Sequence, residues 1–223
     1  MASLRHALWQ VIASVPESFW HALTWLGDSG LLLPAAISIT VWLALSRRTW
    51  PTAALWVLAF GCGSTAILIS KLAFMGWGIG STRFNFTGFS GHTAISASVW
   101  PVALWLIASR QSHRVRVAAV LAGWALAAAI GASRLALFAH SGSEVAAGYL
   151  LGVVVSASFL ALQRGRPHSR IPGVAVVLSL LVPLTLLKPG TPAPTQSALE
   201  LMAIRLAGVE RAYTREDLLR RPG

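Results

Sequence analysis

Residues 144–162 read Glu-Val-Ala-Ala-Gly-Tyr-Leu-Leu-Gly-Val-Val-Val-Ser-Ala-Ser-Phe-Leu-Ala-Leu, with a single charged side chain at the first position. Coiled as an α-helix, such a run is roughly 28 Å long, the thickness of a bilayer's hydrocarbon core. Five further runs of this kind lie at residues 30–46, 52–70, 93–109, 115–135 and 171–187. The expected fold is therefore all-α, a polytopic transmembrane helical bundle of about six spans. The composition agrees: 55% of the 223 residues are hydrophobic and 11% charged, with a mean hydropathy of +0.65. These values exclude a disordered or fibrous chain.

Three parts are expected. Residues 1–28 mix Trp9, Phe19, Trp20 and Trp25 with His6, Gln10, Pro16, Glu17, His21 and Asp28, a pattern that suits an interfacial amphipathic segment better than a crossing. Arg5 alone, with no small-residue cleavage site after a clean apolar core, argues against a signal peptide. Residues 29–187 form the bundle. Residues 188–223 open with the helix-stopping run Lys188-Pro189-Gly190-Thr191-Pro192-Ala193-Pro194 and continue as a charged helical tail from about 195 to 219. That tail has three possible places: on the membrane, on a partner, or free in solution. The single cysteine, Cys62, excludes an intrachain disulfide or a thiolate metal centre and reads as a small residue within the membrane.

Eighteen Lys and Arg against seven Asp and Glu give a formal charge of +11. The excess sits in loops rather than in a nucleic-acid stripe, so no nucleic-acid partner is expected. Arg47, Arg48, Arg110, Arg114, Arg116, Arg164, Arg166 and Arg170 occupy alternate connections, and the positive-inside bias places those connections in the cytoplasm. Residues 71–92 and 136–143 then face outward.

The remaining ionisable groups collect on that outer side. Lys71 ends the second span, Ser90-Gly91-His92 opens the third, Ser133-Arg134 closes the fourth, and His140 with Glu144 leads into the fifth. Charges at membrane depth cost roughly 2.5–3.5 kcal/mol on insertion scales and default to a functional reading. Glu144 is the only carboxylate between Asp28 and Glu200. If the fifth helix begins at His140, the two side chains share a face, and the carboxylate would fix the imidazole tautomer. A helix-terminal acid beside an unrelated loop histidine is the plainer alternative. The turn into His92 supplies unpaired helix-terminal amides, and Lys71, Arg134 and Arg83 supply cations, an inventory that suits a tetrahedral oxyanion such as phosphate. Anchoring to the headgroups of membrane lipids accounts for Lys71 and Arg83 but not for the histidines. The same cations would repel a divalent ion held by the His/His/Glu set, so no metal or other cofactor is expected.

These residues resemble the motifs of the type 2 phosphatidic acid phosphatase superfamily of membrane phosphatases. The resemblance rests on Lys71, on Ser90-Gly91-His92, and on Ser133-Arg134 followed by His140 and Glu144; with the helical pattern it covers about residues 15–163. It implies that His140 is the nucleophile, that Glu144 orients it, and that His92 is the acid and base. It further implies that Lys71, Arg134, Ser90, Gly91, Ser133 and Arg83 hold the phosphoryl oxygens. Three positions depart from the family pattern. Gly78 stands where an arginine followed by proline is expected, leaving Arg83 as the nearby arginine; Phe89 replaces the proline before Ser-Gly-His; and Glu144 replaces an aspartate. The implied substrate is a lipid phosphate or diphosphate. In a bacterial inner membrane, with the site facing the exterior, undecaprenyl diphosphate, phosphatidylglycerol phosphate and phosphatidic acid all qualify. Phosphotransfer from the same site and a transporter or proton relay are the alternative functions. The sequence gives no oligomeric state.

Overall fold

The computed structural model describes residues 14–166, 177 and 195–220. Helix α1 (Glu17–Trp25) is separated by a short turn from α2 (Ser29–Ala44), whose first turn is capped by the Asp28 carboxylate accepting from the Gly30 amide at 2.7 Å. A 3₁₀ turn at Arg47–Thr49 leads into α3 (Trp50–Trp77). The bundle continues with α4 (Gly91–Ile107), α5 (His113–Ala136) and α6 (Gly142–Leu162). Two shorter helices, α7 (Thr195–Ala207) and α8 (Arg215–Leu219), belong to the C-terminal segment.

Five stretches among the described residues are long and apolar enough to cross a membrane: Glu17–Ala44, Arg47–Trp77, Gly91–Arg110, His113–Ala136 and Gly142–Leu162. They correspond to the first five expected spans; the sixth, 171–187, lies outside the described residues apart from Val177. Of residues 1–28, the described part begins at Ser14. Within it, α1 counts with α2 as one apolar stretch and packs along α5.

Helix α4 is the hub, packed chiefly against α5 and α6. In lipid there is little hydrophobic gain from bringing helices together, so close approach through small residues and interhelical hydrogen bonds carries the association. Gly123 of α5 meets the backbone of Pro101 in α4, where an added Cβ would stand 2.5 Å from Pro101 Cα. The Ser156 hydroxyl donates to the Ala97 carbonyl at 2.8 Å and accepts from the Trp124 indole at 3.0 Å, which ties α4, α5 and α6 together. A denser apolar cluster of Leu31, Leu32, Ile39, Trp56, Val99, Val102 and Phe159 joins α2 and α3 to the hub. The Trp56 indole reaches the Ala36 carbonyl at 3.1 Å. Ile37, Val41, Leu58, Ile69, Leu121, Leu150 and Val154 face outward, and Cys62 is exposed among them. That outer surface is what lipid would solvate, and the protein is an integral membrane protein.

Alternating helices place the starts of α2, α4 and α6 beside the ends of α3 and α5, and the arginine-rich connections at the other end. The described chain stops after α6 at the arginine-rich end and resumes at Thr195, whose hydroxyl lies 3.2 Å from that of Ser29 at the site end.

Gly123→Ala should destabilise the bundle by about 1–3 kcal/mol, since rigid backbone rather than a movable side chain blocks the new methyl. Thermal unfolding in detergent, compared with Gly61→Ala at a position with open space, would measure it.

Candidate active site

Local sequence explains how the site residues meet. Helix α3 stops because Gly78 adopts φ 65°, the left-handed conformation that costs glycine least, and its amide closes the helix end. An arginine at position 78 would have to adopt that left-handed conformation to end the helix in the same way. Lys71 sits about two turns before that stop. The loop then doubles back through a single antiparallel bridge between Ser81 and Phe86, and the Phe89 amide donates to Ser70 Oγ at 3.3 Å. A proline at position 89 could not make that bond. The next residue, Ser90, caps α4, with its hydroxyl 2.9 Å from that of Thr93.

On the other side of the site, the chain leaving α5 turns within a few residues. The amides of Ala139 and His140 both donate to the Arg134 carbonyl, at 3.0 and 3.3 Å, and return His140 to the neighbourhood of Arg134. Helix α6 starts at Gly142, after the Ser141 cap, so His140 lies outside it. The two residues meet through a capping box rather than a shared helix face: Ser141 Oγ accepts the Glu144 amide, and Glu144 Oε2 accepts the Ser141 amide at 3.1 Å.

Glu144 is completely buried, which a carboxylate tolerates only when its oxygens are satisfied. Oε1 accepts from the amide of Thr87 at 2.7 Å and from the Thr87 hydroxyl. Oε2 accepts from His140 Nδ1 and Arg215 Nη2, each at 2.7 Å, as well as from Ser141. With an acceptor on Nδ1, the imidazole carries its proton there and leaves the Nε2 lone pair free. Burial pushes the His140 imidazole below its ordinary range; Glu144 pulls it back, while Arg134 and Lys71 add to the lowering.

His140, His92, Lys71, Arg134 and Gly91 line one cavity of about 1060 Å³. Its wall passes from these polar groups to Leu33, Ile67, Leu68, Ile95, Leu199 and Met202. Arg134 Nη1 donates to Thr24 Oγ1 at 2.9 Å, while its buried Nε has no partner among the described residues. Asp28 Oδ2 lies 3.6 Å from His92 Nε2, so each histidine faces a carboxylate.

Three expected phosphate contacts are not brought to the cavity wall. Arg83 is exposed in the loop, its guanidinium 5.5 Å from the Phe84 ring centre, where an aromatic face and water solvate it better than a buried pocket. Ser133 is buried behind the site, its hydroxyl donating to the Ile130 carbonyl at 2.6 Å. Ser90 spends its hydroxyl on Thr93, and its amide on the Glu144 carbonyl at 3.2 Å. Sequence reasoning missed Asp28, Thr87, Thr24 and Arg215. Asp28 was detectable as a lone carboxylate before an apolar run; no spacing signal pointed to Arg215, 71 residues beyond Glu144.

The PAP2 superfamily model matches residues 73–167, the interval that contains both histidines and Glu144. The chain belongs to the PAP2 superfamily. PAP2 membership supports a phosphatase-type activity on a phosphoester. A protein from Klebsiella pneumoniae described as an "Uncharacterized 22.5 kDa protein in cps region" is 45% identical over 204 residues, covering 89% of this chain and 97% of that protein. No solved structure matches. Within this PAP2 chain, Lys71 and the Asp28 cap fall before the matched interval, and Arg215 beyond it.

Histidine NMR should show His140 titrating below the ordinary imidazole value of about 6.5. The neutral form is the one favoured, so the proton is gained only as pH falls through the lowered value. Glu144→Gln removes the group that opposes the lowering and should move the titration lower still. A rise on that substitution would contradict the pairing.

Proposed function

We propose that the protein hydrolyses the phosphate or diphosphate ester of a membrane amphiphile at the outer face, through a phosphohistidine at His140. The observation that carries the reading is one cavity lined by a carboxylate-paired histidine, a second histidine and two cations at its polar end, with apolar side chains beyond. A phosphate placed between Lys71, Arg134 and the first amides of α4 would have its charge stabilised from several sides. The alkyl part of the substrate would lie against Leu33, Ile67 and Ile95, which suits a lipid better than a small soluble ester.

In the first step His140 Nε2 attacks phosphorus, the P–O bond to the leaving group breaks, and His92 donates a proton to the departing oxygen. Glu144 holds the Nδ1 proton and stabilises the positive ring that forms. In the second step water attacks phosphorus, His92 takes its proton, and the P–N bond breaks to release phosphate and restore His140. Both steps balance without a further reactant. The clustering of ionisable groups at one end also argues for chemistry at that end rather than a proton relay across the bundle.

Detergent-purified protein, assayed with EDTA present, should release phosphate from one or more members of a panel of lipid mono- and diphosphates. His140→Ala should abolish release while the protein remains folded, and full activity in that variant would overturn the assignment. His92→Ala should lower kcat by roughly 10²-fold or more and affect substrate association less, because the binding cations remain.

The outward face has its own test. In a Cys62→Ala background, a cysteine at Phe84 should react with a membrane-impermeant maleimide on intact cells, and one at Gln111 only after lysis. The reverse pattern would place the site in the cytoplasm.

A further inference from the structure

The C-terminal segment does more than rest on the bundle. Helix α7 packs along α3, where Gly76 leaves room for it: a Cβ there would stand 3.1 Å from that of Ala207. Beyond α7, the Tyr213 amide donates to the Met75 carbonyl at 2.8 Å. Thr214 then caps α8 in a capping box with Asp217, and Arg211 grips the Asp217 carboxylate with two bonds of 2.7 and 2.9 Å. Leu218 of α8 is buried. These contacts fix the direction of Arg215, the first residue of α8. Its Nη2 donates to Glu144 Oε2, and its Nη1 donates to Asn85 Oδ1, each at 2.7 Å.

Among the described residues, Arg215 is the only formally cationic side chain that donates to Glu144. It binds the same oxygen as His140 Nδ1, so it acts on the pair in two ways. It restrains a glutamate side chain that has three rotatable torsions and must keep Oε2 on the ring. It also offsets the carboxylate's charge, which without that cation would more strongly favour a second proton on the ring. A doubly protonated ring has no lone pair with which to attack.

We propose that Arg215 is a positioning residue of the His140–Glu144 pair, so that the C-terminal segment completes the active site and does not merely cover it. The role in turnover rests on the phosphatase reading above; the effect on His140 does not. The other groups facing His140 are Glu144 on α6, Lys71 on α3, Arg134 on α5 and His92 on α4. All four remain in an Arg215 variant.

The test compares Arg215→Gln and Arg215→Lys with the wild type in the full detergent-solubilised chain. Histidine NMR, assigned with His140→Ala, follows the imidazole, and phosphate release from the same panel of lipid mono- and diphosphates follows turnover. Arg215→Gln should raise the His140 titration by roughly one pH unit. It should lower kcat about 10- to 100-fold and leave KM within about threefold, with the greater loss at lower pH. Arg215→Lys keeps the charge without the planar fork and should restore the titration and part of kcat. An unmoved titration in Arg215→Gln, or a loss confined to KM, overturns the proposal. If Arg215→Gln does not accumulate as folded protein, Asp217→Asn loosens the α8 cap without removing the guanidinium. It should move His140 in the same direction by less, and no movement there also overturns the proposal. The titration needs no turnover. A shifted His140 in a protein that releases no phosphate therefore rejects the phosphatase reading and leaves Arg215's role standing.

Discussion

A carboxylate with no exposure to water has to be surrounded by donors, and at Glu144 that requirement organises one whole end of the molecule. Its donors come from the loop before α4, from the turn between α5 and α6, and from the C-terminal segment. Each of these segments is thereby fixed relative to the others around one point. His140 is held by the same arrangement, so the group read as the nucleophile takes its tautomer and its direction from the demand that stabilises the fold there. On the proposed reading, stability and reactivity share one set of hydrogen bonds.

The bundle provides the frame that makes this possible. Small residues along α4, α5 and α6 let the helices approach closely, and the Ser156 hydroxyl links the three backbones or side chains at mid-height. Polar chemistry is then confined to the end where helices α4 and α6 begin. Helix starts present unpaired amides, and those at α4 face a cavity that also holds Lys71 and Arg134. The apolar remainder of the cavity wall comes partly from the bundle and partly from α7. The C-terminal segment therefore contributes to substrate space as well as to the ion pair.

The fold class was legible because apolar runs of about twenty residues have few other solutions in water or lipid. The convergence of Lys71, His92, Arg134, His140 and Glu144 was legible for the same reason: alternation of spans sends them to one end before any side chain is placed. Finer geometry was not. Ser90 and Ser133 carry the right side chains for a phosphate site, but local caps and turns had already used their hydroxyls. Arg83 was the nearest arginine in sequence, yet the chain doubles back at Ser81 and Phe86 and leaves it on the outside. Arg215 is distant in sequence, and its arrival at Glu144 depends on how α7 packs against α3, a tertiary fact with no local periodicity. Glu144 and His140 were expected on one helical face; they meet because a capping box replaces the helical turn.

The position of Arg215 also has a consequence in time. A ribosome makes the chain from its N-terminus, so α2 to α6 and both histidines are available to fold before residue 215 has been added. During that interval Glu144 lacks its charged partner and the cavity lacks the wall supplied by α7. The donor set around Glu144 is thus completed only after the helices that carry the rest of it have been made. An unfinished bundle in the membrane would hold His140 in a different electrostatic state from the finished one.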